Sequence, residues 1–152
     1  MTHARENERL AAWRAFLEAH AVLTDALEAE LQAERRLPLT WYDVLVQLSE
    51  APEGTLRMQE LAGAVLLSKS GLTRLFGRME QAGLVERRPC PTDLRGTIAA
   101  LTPAGREALR QARPVHLRGI EQHFSRHLTD EETQALRAAF AKILRAAERR
   151  PS

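Results

Sequence analysis

The stretch Ser68-Lys69-Ser70-Gly71-Leu72-Thr73-Arg74-Leu75-Phe76-Gly77-Arg78-Met79-Glu80-Gln81-Ala82-Gly83 decides how the chain is organised. Leu72, Leu75, Phe76 and Met79 recur at helical steps and make one apolar face. Ser70, Thr73, Arg74, Gly77, Arg78 and Gln81 take the opposite side. Ser68 suits the N-cap, because a hydroxyl accepts from the free N–H groups of a first turn. Gly83 suits the C′ position, where the backbone turns left-handed. A helix from Ser68 to about Ala82 is therefore predicted, buried on one side and polar and cationic on the other.

Working outward, Met58 to Val65 reads as a short helix, and Leu66-Leu67 as the bend that joins it to the helix at 68–82. On the far side, residues 84–87 and 97–101 read as two strands. Between them Pro89, Pro91 and Gly96 forbid helix, which predicts a β-hairpin with a long basic tip at 88–96. Two short helices followed by a hairpin make a winged helix-turn-helix lobe, spanning residues 40–101. A helix of this size fits the DNA major groove, and short polar side chains near its start approach base edges. Free N–H groups and the helix dipole favour phosphate at the same end. The candidate DNA contacts are Ser68, Lys69, Ser70, Thr73, Arg74 and Arg78, with Arg95 reaching the minor groove from the hairpin tip.

The flanks are helical. Leu10, Trp13, Leu17, His20, Thr24, Leu27 and Leu31 step by three and four through a long helix at about 6–35, and Phe16 and Leu23 add a second apolar row. One short chain offers little surface to bury both rows, which points to a second subunit. A helix at 41–50 is predicted to be capped by Thr40 with Asp43 three residues on, and Ala51-Pro52-Glu53-Gly54 ends it. Thr102-Pro103 opens a helix expected to run to about Arg126 with a kink at Pro114. Thr129 and Glu132 form a capping box for a last helix with Leu136, Phe140, Ile143 and Leu144 on its apolar face. The fold expected is mainly α with a small β-hairpin wing. Residues 1–152 are expected to form one domain.

Composition agrees. At 152 residues with 44% hydrophobic and 28% charged residues, the chain is ordinary globular material. Aromatics at 5% leave the core to Leu, Ala, Val and Ile. A single cysteine excludes an internal disulfide framework and a Cys-rich zinc cage. No apolar run approaches the roughly 18 residues of a membrane span, and the charged start is no secretory signal, so a cytoplasmic location is expected. The net charge of +2 is uneven: residues 1–56 carry −5, 57–106 carry +4 and 107–152 carry +3. A basic middle block suits a polyanionic partner.

The same residues resemble the MarR family of winged helix-turn-helix transcriptional regulators. The resemblance rests on Leu39-Thr40, on the runs 68–75 and 79–87, on Asp93-Leu94-Arg95-Gly96, and on Leu101-Thr102-Pro103-Ala104-Gly105. It implies that Ser68, Lys69, Ser70, Thr73 and Arg74 lie on the recognition helix, that Arg95 is the wing arginine, and that Asp93 positions the wing. It implies a homodimer, with 6–36 and 103–150 as its dimerisation helices, on a double-stranded, pseudo-palindromic operator, repression relieved by a ligand, and a small aromatic acid as effector. Gly77 departs from the family pattern, which usually has an acid there.

Trp13, His20 and Trp41 are candidate walls of the effector cavity. Cys90, read as a wing-loop thiol, lies away from the first-helix position used by oxidant-sensing relatives. His116, His123 and His127 are expected on one face of the fifth helix, and His123 and His127 have metal-ligand spacing without an acid or cysteine cluster to join them. No cofactor motif, nucleophile elbow or phosphate-cradling loop is present, so neither a cofactor nor an enzymatic activity is expected. The alternative to a DNA-binding regulator is a helical protein–protein interaction module on a winged-helix scaffold.

Overall fold

The structure is a computed structural model that describes residues 2–65 and 69–148, the side chains of residues 2–4 and 69 excepted. Its elements are α1 (Thr2–Arg35), α2 (Leu39–Glu50), β1 (Thr55–Arg57), α3 (Met58–Ala64), α4 (Lys69–Gln81), β2 (Val85–Cys90), β3 (Asp93–Leu101), α5 (Pro103–His123) and α6 (Asp130–Glu148). Short 3-10 turns occupy Pro52–Gly54 and Ser125–His127. None of the described helices is long and apolar enough to cross a membrane.

The core forms where α2, α3 and α4 meet the sheet and the first half of α5. Leu45, Leu48, Leu61, Leu72, Phe76, Met79, Val85, Ala99 and Val115 are all buried there. Each large aliphatic or aromatic side chain so buried is worth roughly 1.5–3 kcal/mol. The predicted apolar face of α4 is thus the face that holds it to the lobe. Its end follows from Gly83, which sits at φ +76°. The Gly83 N–H donates to the Glu80 carbonyl and the Leu84 N–H to the Met79 carbonyl, a Schellman closure that turns the chain directly into β2.

The start of α2 differs from the sequence expectation. Pro38 is the N-cap residue, Thr40 lies inside the helix, and no capping bond comes from a local side chain. Instead the Leu39 N–H donates to Glu28 Oε2 of α1 at 2.6 Å. A carboxylate from another helix fills the site because a helix N-terminus favours negative charge whatever its source.

The sheet has three strands in the order β1-β3-β2, one more than the expected hairpin. Strand β1 pairs antiparallel with β3, Thr55 opposite Ala100 and Arg57 opposite Ile98. That pairing places β3 centrally and β2 at the edge, where Pro89 is tolerated because an edge strand has one side without ladder partners. The prolines therefore do not open the long loop expected at 88–96. The ladder runs on to Cys90 opposite Asp93, leaving Pro91-Thr92 as the turn. Pro89 pairs with Thr97 and Cys90 with Asp93, so Leu94, Arg95 and Gly96 bulge from β3.

Helix α5 starts as expected: Thr102 Oγ1 accepts from the Gly105 N–H at 3.0 Å and donates to the Gly83 carbonyl at 2.6 Å. It continues through Pro114 and ends at His123, three residues before the expected end. The capping box of α6 forms in both directions, Thr129 N–H to Glu132 Oε2 at 2.9 Å and Glu132 N–H to Thr129 Oγ1 at 3.2 Å. Helix α1 packs on α5, where Gly119 lets Glu30 and Leu27 approach closely. Helix α6 has no buried residue; Ile143 and Leu144 are 62% and 63% exposed. Leu10, Trp13, Phe16 and Leu17 of α1 are likewise exposed, and the rings of Phe16 and Phe140 lie 5.6 Å apart.

Candidate nucleic-acid interface

Burying Leu72, Leu75, Phe76 and Met79 turns the polar face of α4 outward, so Ser70, Thr73, Arg74 and Arg78 are exposed. Lys69 opens the helix, and Ser68 lies outside the described residues. The wing stands beside this face. A cleft of about 600 Å³ separates them, and Thr73 of α4, Arg57 at the foot of α3, Arg87 of β2 and Asp93, Arg95 and Thr97 of β3 line it. Thr73 and Arg95, from two sequence-predicted groups, thus border one space.

Arg95 is held by its backbone. Its N–H donates to Asp93 Oδ1 at 3.0 Å, which fixes the start of the bulge while leaving the guanidinium exposed. The bulge folds tightly at Gly96, where a Cβ would stand 3.1 Å from the Cβ of Cys90. Cys90 is accordingly not a loop thiol. It ends β2, is buried, and its Sγ lies 3.4 Å from Thr92 Oγ1. Hydrogen bonding to Thr92 pulls the thiol pKa below its ordinary value.

Three residues with no role in the sequence prediction position this interface. Arg87 donates from its backbone to Glu80 Oε1 at 3.0 Å, from Nη1 to Glu80 Oε2 at 2.7 Å, and from Nη2 to the Thr73 carbonyl at 3.3 Å. Its guanidinium also lies 5.3 Å from the centre of the Phe76 ring. Strand β2 is thereby stapled to α4. Arg57 Nη2 donates to Thr92 Oγ1 at 3.3 Å and ties α3 to the turn of the wing. Glu80 and Arg87 stand in the run that carries the family resemblance, and their i, i+7 separation across a helix stop was the available signal. The space at Gly77 also has an explanation: a Cβ there would come no closer than 4.0 Å to Arg87 Nη2. An acid at that position would face Arg87, whose partner in this chain is Glu80.

The other candidate groups do not converge. His116 packs on Tyr42 with ring centres 4.3 Å apart, its Nδ1 has no hydrogen-bond partner, and burial lowers its pKa. His123 Nε2 contacts Glu30 Oε1 at 2.6 Å, whereas His127, beyond the end of α5, donates from Nε2 to the Gln122 carbonyl at 3.1 Å. The early end of α5 breaks the expected common face. Among the described residues no group of three or more His, Cys, Asp or Glu side chains is placed to hold a metal ion. Trp13 stacks near Phe16 at 5.8 Å, and Phe16 near His20 at 6.2 Å, along the exposed side of α1. Trp41 packs against the core near the contact of Leu39 with Glu28. Fifteen residues of helix, about 22 Å, separate Trp13 from Glu28, so within one protomer Trp13 and Trp41 do not wall one cavity.

A polar recognition helix, a preceding short helix and a three-stranded wing around one cleft define a winged helix-turn-helix protein. The family model described as MarR family matches residues 37–96, from α2 to the wing bulge. Across 93% of the chain the fold superposes on 95% of AbsC, a MarR family transcriptional regulator from Streptomyces coelicolor, with a TM-score of 0.86 and 38% identity. Sco3205, a MarR family regulator of the same organism solved in complex with DNA, matches 95% of this chain over 93% of its own, with a TM-score of 0.88 and 35% identity. The multiple antibiotic resistance protein MarR of Salmonella typhimurium is 31% identical over 91 residues, 60% of this chain. That match spans 63% of the length of the relative. The chain belongs to the MarR family.

Proposed function

We propose that the chain is a sequence-specific DNA-binding transcriptional regulator that reads a pseudo-palindromic operator as a homodimer. The carrying observation is the exposed face of α4, with Thr73, Arg74 and Arg78, beside the Asp93-held Arg95 across one cleft. A recognition helix and wing so arranged offer one group of side chains to the major groove and one cation to the adjacent minor groove. The +4 charge of residues 57–106 supports a phosphate backbone as partner, and the relative Sco3205 is known in complex with DNA. The exposed apolar residues of α1 and α6 support the homodimer, because faces of this kind are stable in water when a second copy covers them. The proposal extends to a cytoplasmic repressor that a small ligand releases by favouring a lobe separation mismatched to the half-site spacing.

The test is a titration of operator and random duplex across a salt series. Arg74→Ala is expected to cost about 1–3 kcal/mol on the operator and less on random duplex. Arg95→Ala is expected to lower affinity and to reduce the salt slope by about one unit. Absence of salt-sensitive binding to both duplexes would instead favour a protein-binding module.

A further inference from the structure

The lobe that carries α4 and the wing joins the flanking helices at two places, residues 36–38 before α2 and Thr102 before α5. The second joint is tied to the recognition helix, since Thr102 Oγ1 donates to the Gly83 carbonyl at the helix stop. The first joint is stiff. Arg36 sits at φ +52°, Leu37 is buried, and the ring of Pro38 holds φ at −59°. The Arg36 N–H donates to the Gln32 carbonyl at 3.0 Å, which closes the end of α1.

Glu28 spans this joint. Its Oε2 accepts from the Leu39 N–H at 2.6 Å, and its Oε1 accepts from Gln32 Nε2 at 3.2 Å. One oxygen is held by its own helix and the other is aimed at the next. Helix α2 has no acid in its first turn and no side-chain cap of its own, so the carboxylate of α1 meets the positive end of its dipole. A charge-assisted bond of this kind is short and directional, whereas the apolar packing of Leu31, Leu37 and Leu45 has no preferred direction. Beside it, Glu30 contacts His123 Nε2 at 2.6 Å and Glu34 pairs with Arg118. The last turns of α1 therefore hold both the helix that enters the lobe and the helix that leaves it. Tyr42, Val44, Leu45 and Leu48 of α2 share the core with Phe76 of α4, so a tilt of α2 against α1 carries α4 with it.

We infer that Glu28 is a positioning residue for the reading of two half-sites: its bond to α2 sets the angle between the lobe and α1, and so the half-site separation that a pair of chains accepts. The inference rests on the proposed homodimeric regulator. One base pair added between half-sites moves them apart by about 3.4 Å and turns them by about 35°. A rigid joint rejects such a duplex and a loose joint tolerates it. The experiment uses a duplex that the unaltered chain selects from a randomised pool, remade with one base pair added or removed at its centre. The unaltered chain is expected to bind the selected duplex about tenfold more tightly than either remade form. Glu28→Ala is expected to cut that ratio about threefold while leaving affinity for a single half-site unchanged. Glu28→Gln keeps an acceptor oxygen at the same reach and is expected to keep most of the ratio. Gln32→Ala, on the exposed side of α1, frees Glu28 Oε1 and is expected to cut the ratio about twofold. The ratio is the readout because lost stability alone weakens every duplex alike. Thermal unfolding and sedimentation check that each variant folds and pairs. The Gln32→Ala result decides if Glu28→Ala does not fold. A ratio that the alanine change leaves intact, equal weakening on every duplex, or an unaltered chain indifferent to spacing would each overturn the assignment and leave the regulator standing. A pool that yields no salt-sensitive duplex would overturn the regulator itself, and this assignment with it.

Discussion

Gly77 and Gly105 both stand in helices, and their surroundings set opposite outcomes for the same substitution. A Cβ at Gly77 meets only Arg87 Nη2, at 4.0 Å, so Gly77→Ala is expected to raise stability by up to about 1 kcal/mol through helix propensity. A Cβ at Gly105 would run into the Leu84 carbonyl and the Leu101 side chain, so Gly105→Ala is expected to cost about 1–3 kcal/mol. Urea unfolding of the two variants checks both, and equal shifts of one sign would contradict the packing described. His116 supplies a pH dependence. Burial against Tyr42 holds its pKa below the ordinary 6.5, so the unfolded chain takes up the proton at higher pH than the folded one. Its contribution to stability is therefore complete above pH 6.5 and is lost as pH falls through the lower folded-state value. His116→Phe keeps a ring against Tyr42 and is expected to flatten the fall in unfolding free energy below pH 6.5; an unchanged slope would place the acid sensitivity elsewhere.

At the scale of elements, the staple between β2 and α4 separates stability from alignment. The Glu80–Arg87 pair is on the surface, where such pairs contribute about 0.2–1 kcal/mol. Glu80→Gln is thus expected to lower stability by less than about 1 kcal/mol while reducing operator affinity by up to about tenfold, since it frees the wing from the recognition helix. Parallel unfolding and duplex titrations measure the two, and affinity that follows stability alone would show that the staple does not align the wing. The elements legible in the sequence are those whose causes are local. The apolar face of α4, the Gly83 stop, the Thr102-Pro103 start and the Thr129–Glu132 box each lie within a few residues of what they cap or end. What escaped depends on distant partners. Strand β1 has three residues, too few for alternation, and exists because its partners Ile98 to Ala100 in β3 lie 41 to 45 residues on. The cap of α2 comes from Glu28, eleven residues earlier in another helix. The bulge at 94–96 requires Gly96 against Cys90, a contact that appears only once the strands have paired. The outward placement of Ser70, Thr73, Arg74 and Arg78 on α4 was legible for the same local reason, whereas Arg57 and Arg87 bond across elements.

Across the whole molecule the proposed pairing surface and the proposed DNA surface lie on different elements. Leu10, Trp13, Phe16 and Leu17 with Phe140, Ile143 and Leu144 lie on α1 and α6, while the candidate DNA contacts lie on α4 and β3. Removing residues 1–20 takes away four of these apolar side chains, each worth roughly 1.5–3 kcal/mol when covered. The shortened chain is expected to sediment as a monomer or to aggregate, and to lose operator affinity. A truncated chain that remains dimeric and binds normally would place the pairing surface elsewhere. Among the described residues none of those named belongs to both surfaces, so under the proposed function damage to α4 is expected to leave pairing intact. A cell that makes Arg74→Ala chains beside normal ones would then fill with hybrid pairs that grip one half-site only. Such an allele is expected to be dominant, silencing the normal copy by dilution, whereas an allele that abolishes pairing is expected to be recessive.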